Sequence, residues 1–389
     1  MNKRFFVQLA IYCSLAVISA VAPSSALAQA QAKPGQLLWT WVSPRGELSD
    51  QLGPVCTNGS LVFTTGRGSN VKTGVLYALD LKSGNVVWET ETSGTALRLA
   101  NLCLSEDVLY VSTDRGDFYA IETRTGKSIW HVQMPFKSGM ISVDGNDIFV
   151  HASGRLFAID ARNGKGDWWL KQGDSYLADA PILSPGRVLI RDSNYVYCLN
   201  DQNRKLRWRA PASNGIDYSV YRNNVYACNR SKSSLSCYDL ARGVEKWSQK
   251  TKYKLKTNVV PCLDWIVISS AYDDCRLVGV EARNGEEAWT IQLPVVLAFT
   301  TDRMIAGRDR IYLQHVDQLY CVDPTQGVID WQTPMPSAHL MECLWDDVIL
   351  CRKQQRGVLC CYSLGNGRNG VWSQDGGGPQ RGNYNREAP

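Results

Sequence analysis

Nine tryptophans, Trp39, Trp88, Trp130, Trp168, Trp208, Trp247, Trp289, Trp331 and Trp372, follow one another at intervals of 49, 42, 38, 40, 39, 42, 42 and 41 residues. A self-similar period of this length signals a repeat architecture, in which each unit buries its apolar surface only against its neighbours. Each tryptophan closes the same phrase. It reads Leu76-Tyr77-Ala78-Leu79-Asp80, then Gly84, then Trp88, and recurs as Phe118-Tyr119-Ala120-Ile121-Glu122, Gly126, Trp130. The acid-to-glycine and acid-to-tryptophan offsets of four and eight residues hold in six copies. The copy ending at Trp208 has Asn200 for the acid and Arg204 for the glycine, and the last copy is one residue longer.

The phrase predicts a hairpin. Alternating apolar residues make one strand, the acid and a polar pair lead into a glycine that supplies positive φ, and a short strand carries the tryptophan. Two further strands fit between phrases; in the second repeat these are 99–104 and 108–112. Four short strands per period of about 41 residues describe a propeller blade. No apolar spacing of three and four suggests helical repeats, so the chain reads as all-β. Nine tryptophans bound eight intervals, which predicts an eight-bladed β-propeller of four-stranded antiparallel blades. One of the two terminal outer strands, ending at Trp39 or at Trp372, is then surplus. The N-terminal strand is expected to complete the last blade, so that the N- and C-terminal segments close the ring.

The motif Ala-x-Asp-x-x-x-Gly-x-x-x-Trp resembles the tryptophan-docking motif of the PQQ-like propeller superfamily, which includes quinoprotein alcohol dehydrogenases and the envelope scaffold BamB. The resemblance covers essentially the whole mature chain and implies that the nine tryptophans are structural, each indole packing between adjacent blades. The tail from Trp372 to Tyr384 is similar to a segment that family members carry before their first outer strand, which fits a closed ring.

Residues 1–30 read as a cleaved secretory signal: Lys3 and Arg4, an apolar run from Phe5 to Ala22, and a small-residue exit at Ala26-Leu27-Ala28-Gln29-Ala30. The propeller is assigned to 31–374 and a Gly/Pro-rich tail to 375–389. No later segment is apolar enough to span a bilayer. The mature chain is expected to be a periplasmic or secreted monomer. Formal net charge is +5, two units of which leave with the signal, and this gives no reason to expect nucleic acid as a partner.

Twelve cysteines remain after the signal. Cys198, Cys237, Cys321 and Cys361 take the repeat position held elsewhere by Ala78, Ala120, Ala158 and Gly279. Cys56, Cys103, Cys262 and Cys343 share a first-strand position, and Cys228 and Cys351 a second-strand one. A cysteine that alternates with Ala or Ser in a repeat behaves as a small buried hydrophobe. Cys275 and Cys360 fit no such position and are the expected bonded or reactive thiols. No zinc-type Cys/His spacing occurs, and no metal is expected. The resemblance implies a vicinal disulfide beside the quinone in the dehydrogenases. Here the adjacent pair Cys360-Cys361 falls inside a strand of the last blade, and repeats of 38 to 42 residues leave no room for cofactor walls.

Propellers bind through the loops that lead into their innermost strands, because those loops converge on the tunnel. Here the lead-in segments carry Arg98, Asp179, Asp217, Lys256, Asp302, Arg303, His339 and Glu342. The one insertion, a polar loop from Gly66 to Gly74, adds Arg67 and Lys72. Mixed charge suits a polar protein partner. The expected function is a non-catalytic exported scaffold that binds another envelope or secreted protein, in envelope assembly as for BamB, with no cofactor. One alternative is a PQQ- and Ca²⁺-dependent dehydrogenase. The other is glycan or small-ligand binding in the tunnel.

Overall fold

The computed structural model describes residues 32–365 apart from 49, 69–72, 95–101, 135–139, 153–154, 172–179, 193–194, 212–215, 256–258, 271–273, 296–302, 337–338 and 354–355. The signal segment, Trp372 and the C-terminal tail lie outside the described residues, and among those described no helix is long and apolar enough to cross a membrane.

Among the described residues, thirty-two strands form eight four-stranded antiparallel sheets. Seven sheets take consecutive strands in simple meander order, from blade 1 (Val55–Thr57, Leu61–Arg67, Thr73–Asp80, Val86–Ser93) to blade 7 (Arg303–Ala306, Ile311–His315, Gln318–Asp323, Val328–Pro334). Blade 8 has three strands from the C-terminal end, His339–Trp345, Val348–Lys353 and Val358–Ser363, and its outer strand is the N-terminal Leu37–Val42. The ring is therefore closed by the two ends of the chain, and the inner strand of blade 8 also meets that of blade 1.

The core has no single centre. Among the described residues eight buried apolar clusters occur, and each straddles one seam between neighbouring blades. Trp39 and Trp208 are buried in the seams that follow their own blades, and Trp88, Trp130, Trp247, Trp289 and Trp331 lie half-buried in theirs. Each indole spans to the next blade. Trp39 Nε1 donates to the Leu81 carbonyl at 2.8 Å, Trp88 to Thr123 at 2.8 Å, Trp130 to Ala161 at 2.8 Å and Trp208 to Leu240 at 3.0 Å. Trp247 and Trp289 reach Ala282 and Pro324 in the same way. Trp168 lies in the outer strand of blade 3, but its side chain is outside the description.

The rest of the phrase serves this docking. The turn glycine of the next blade lies directly on the indole. At Gly84 and Gly243 a Cβ would come within 2.7 and 2.4 Å of the Trp39 and Trp208 rings, and both residues have φ near +70°. Across the hairpin, the residue opposite each tryptophan is small: Ala78, Ala120, Ala158, Cys198, Cys237, Gly279, Cys321 and, against Trp39, Cys361. This explains the cysteines at that position, since the indole leaves room for little more than a methyl or thiol.

The twelve cysteines among the described residues are buried, and no disulfide joins any two of them. Cys275 and Cys360, expected from sequence to be the bonded or reactive ones, are buried and outside any disulfide like the others, and burial raises the pKa of Cys360. Cys360 and Cys361 alternate across the pleat, so the first packs in the seam between blades 7 and 8 and the second in the seam between blades 8 and 1. The segment from Gly66 to Gly74 also differs from the expected loop. Gly66 and Arg67 pair with Val75 and Gly74, so the second and third strands run on into the ends of the insertion, whose centre, 69–72, lies outside the described residues.

Candidate functional site

A four-stranded meander sorts its connections between two faces. The lead-ins to the inner strands and the hairpins between second and third strands share one face. The hairpins between first and second strands, and in blades 1 to 7 those between third and fourth strands, share the opposite face. The long hairpin of blade 1 thus projects from the face at which the inner strands begin. Of the sequence-derived candidates that the structure describes, Arg303 and His339 begin inner strands there.

Five of those candidates, Arg98, Asp179, Lys256, Asp302 and Lys72, lie outside the described residues. Of the rest, Arg67 is exposed at the end of the second strand of blade 1, and its N–H donates to buried Asp50 at 2.9 Å. Asp50 also accepts the Ser43 hydroxyl at 2.5 Å and its own neighbour's N–H, from Gln51, at 2.8 Å. This locks the segment running from the outer strand of blade 8 to the inner strand of blade 1. Asp217 is half-buried in the inner strand of blade 5, opposite Cys228.

Arg303, His339 and Glu342 come together at the seam between blades 7 and 8. Glu342 Oε1 accepts Arg303 Nη1 at 3.2 Å across the seam and Arg352 Nε at 2.9 Å within blade 8. Arg303 Nη1 also donates to the Met341 carbonyl at 3.0 Å. The carboxylate is only 4% exposed, so Glu342 is part of the wall and not of a wet rim. A register shift between Met341 and Cys343 places it there: a bulge re-aims the side chain that it frees from pairing. Gln314 of blade 7 completes the seam, donating to the His339 carbonyl and accepting the Met341 N–H at 3.2 Å.

Just outside, His339 Nδ1 and the Tyr362 hydroxyl are 2.7 Å apart, and Lys353 bonds Glu47 of the closing segment. Burial, and next the Lys353 charge, push the His339 pKa below the usual imidazole value, while Glu47 opposes this. The Lys353 hydrogen bond holds Glu47 below the usual carboxylate value. Sequence reading missed Arg352, Gln314, Glu47 and Lys353. The available signal was polar: Arg352 and Gln314 interrupt apolar runs, Val348-Ile349-Leu350-Cys351 and Ile311-Tyr312-Leu313.

Similar fastenings bind other seams near the tunnel. Ser142 Oγ of blade 3 donates to the Pro181 carbonyl of the next blade at 2.6 Å, and Ser219 Oγ of blade 5 to that of Val259 at 2.5 Å. The seam between blades 5 and 6 is thus held near the tunnel by a polar tie and near the rim by the Trp247 indole.

The described residues do not fit a quinone with Ca²⁺. Among them no group of three or more His, Cys, Asp and Glu side chains is placed to hold a metal ion. Cys360 and Cys361 face opposite seams and could not together cover a cofactor ring in the tunnel.

Comparisons with known proteins agree with this architecture. The outer membrane protein assembly factor BamB of Legionella pneumophila (strain Paris) is 26% identical over 165 residues, which are 39% of this chain and 43% of that protein. The matched stretch thus spans less than half the length of that relative. Among solved structures, BamB from Moraxella catarrhalis matches with a TM-score of 0.64 at 16% identity, covering 84% of this chain and 97% of that one. Quinohemoprotein alcohol dehydrogenase from Comamonas testosteroni matches with a TM-score of 0.58 at 11% identity, covering 88% and 78%. Structural likeness at these identities shows the fold alone. The sequence model of the PQQ_2 family, described as outer membrane protein assembly factor BamB, matches residues 23–174, 72–291 and 177–374, and the chain belongs to that family.

Proposed function

We propose that the chain is a non-catalytic, exported scaffold that docks another envelope protein on its lead-in face and serves outer membrane protein assembly, without a cofactor. The observation that carries this reading is topological. All eight inner strands begin on one face, the lengthened hairpin of blade 1 stands on that same face with exposed Arg67, and half-buried Asp217 of blade 5 brings the opposite charge. Such a surface offers many separate polar contacts over a wide area, as a protein partner requires. The buried Arg303–Glu342–Arg352 cluster supports the reading as scaffolding: its charges are bonded to one another and hold a wall of the tunnel. The curated relative from Legionella, named as an assembly factor, points the same way.

A pull-down from envelope extract tests it. The mature chain is expected to recover an envelope protein, and Arg67→Glu combined with Asp217→Arg to lose it while the melting temperature holds. Recovery that is unchanged by both substitutions would overturn the assignment of the face. Reduction of a dye by alcohols or sugars after addition of PQQ and Ca²⁺ would overturn the scaffold reading itself.

A further inference from the structure

The repeats supply their own controls, and blade 4 fails one of them. Its strands are Ile182–Ser184, Arg187–Arg191, Tyr195–Asn200 and Leu206–Pro211. Blade 7 carries Arg310 at the hairpin between its first and second strands, where it meets three carboxylates: Asp330 at 2.5 Å, Asp309 at 3.3 Å and Asp323 at 3.4 Å. Blade 4 places Arg187 at the equivalent position, opposite Asn200 in the ladder. Asn200 stands where blade 7 has Asp323. Arg207, just before Trp208, stands where blade 7 has Asp330, just before Trp331, and Gly186 where blade 7 has Asp309.

The turn geometry is preserved while the charge is not. Asn200 Oδ1 accepts the N–H groups of Gln202 and Asn203 at 3.1 and 2.8 Å, as Asp323 Oδ1 does those of Thr325 and Gln326 at 2.7 and 3.0 Å. Lys205 adds one more cation where blade 7 has Val328, and Asp201 one carboxylate where blade 7 has Pro324. Arg204 holds φ at +61°, a conformation that glycine takes in the copies with the standard phrase. Arg207 Nη2 lies 4.0 Å from where a Cβ on Gly186 would stand, so its guanidinium rests over the turn that precedes Arg187. Among the described residues, Arg187, Lys205 and Arg207 have no carboxylate within ion-pair reach, and the buried Nε of Arg187 has no hydrogen-bond partner.

We propose that the turn end of blade 4, built around Arg187, Lys205 and Arg207, is a docking site for an acidic peptide segment, whose carboxylates supply the negative charge that Asp309, Asp323 and Asp330 supply within blade 7. Guanidinium forks favour carboxylates in paired geometry, and an arginine already fixed by the fold loses little freedom on binding one. A peptide is favoured over an anionic lipid surface because the complement seen within this chain is a set of three separate aspartates around one arginine. The site lies on the face opposite the lead-ins, so its failure and that of the proposed function are independent.

Fluorescence anisotropy of a labelled hexa-aspartate peptide with the mature chain tests this. Binding is expected, weakening steeply with added salt because the attraction is screened. Asn200→Asp with Arg207→Asp rebuilds the blade 7 set and is expected to weaken binding at least ten-fold with no fall in melting temperature. Lys232→Glu with Lys250→Gln removes the same three charge units elsewhere on the chain and is expected to change binding less than three-fold. Should the double variant unfold, Asn200→Asp alone is expected to weaken binding with the fold intact. No binding to the wild type, or equal losses in both charge-matched variants, would overturn the proposal. So would capture of phosphatidylglycerol vesicles without the peptide.

Discussion

Trp39 and Leu81, 42 residues apart, are joined by an indole N–H that donates to a backbone carbonyl at 2.8 Å. The tryptophan belongs to the first strand of the chain and to the last blade of the ring, so this one contact fastens blade 8 to blade 1. Trp39→Phe keeps most of the buried area and loses the hydrogen bond, at an expected cost of about 1 kcal/mol. Trp39→Ala empties the seam, and about 3–5 kcal/mol is expected. Urea denaturation of the two variants checks the ordering; equal costs would mean that the ring does not depend on this seam.

Arg204 and Gly243 occupy the same turn position in successive blades, with φ of +61° and +68°. Only the glycine suits that backbone without strain, since a side chain in the left-handed region costs about 1–2 kcal/mol. Arg204→Gly is therefore expected to raise stability by about 1 kcal/mol. Gly243→Ala is expected to lower it by more, because its Cβ would stand 2.4 Å from Trp208. Opposite signs in thermal melts are the outcome to look for.

Glu342 is shared by Arg303 and Arg352 inside the wall. Glu342→Gln leaves two nearly buried guanidinium groups without their carboxylate. Breaking a buried ion pair from one side costs about 3–5 kcal/mol, far more than the pair contributes when intact. The loss is expected to be much smaller when Arg303→Met and Arg352→Met accompany Glu342→Leu, which a cycle of denaturation measurements would reveal.

The parts of the fold legible in the sequence are those with fixed local offsets. Asp80, Gly84 and Trp88 lie within nine residues of each other, and the hairpin they describe is the one observed. Small residues opposite each tryptophan were visible as an alternation of Ala, Gly and Cys. Their cause was not, because it lies across a ladder. The Arg303–Glu342 contact was hidden for a related reason. Its partners are 39 residues apart on different blades, and a bulge beside Glu342 breaks the alternation from which its direction would be read. Blade 4 shows the intermediate case. Asn200 and Arg204 stood out as exceptions to the phrase, while the charge imbalance at Arg187 emerged only when the strand register set that residue against Asn200.

His339 gives the chain a pH dependence with a definite sign. Its imidazole is half-buried at the start of the inner strand of blade 8, and the groups around it are Tyr362, Lys353 and Glu47. Burial and the Lys353 charge disfavour the protonated ring, so its folded pKa lies below the ordinary 6.5. The unfolded chain then binds the proton more readily than the folded one. Stability from this residue is fully present above the unfolded value and is lost as the pH falls through the folded pKa. Wild type is expected to lose stability between about pH 7 and 5, a window in which most carboxylates stay ionised and imidazole titrates. His339→Gln, which keeps a polar partner for the Tyr362 hydroxyl without the titration, is expected to flatten the profile in that window and leave the steeper acid limb below it. Urea midpoints at half-unit pH steps measure the difference. A variant profile that runs parallel to the wild type down to pH 5 would show that the seam between blades 7 and 8 is insensitive to this proton.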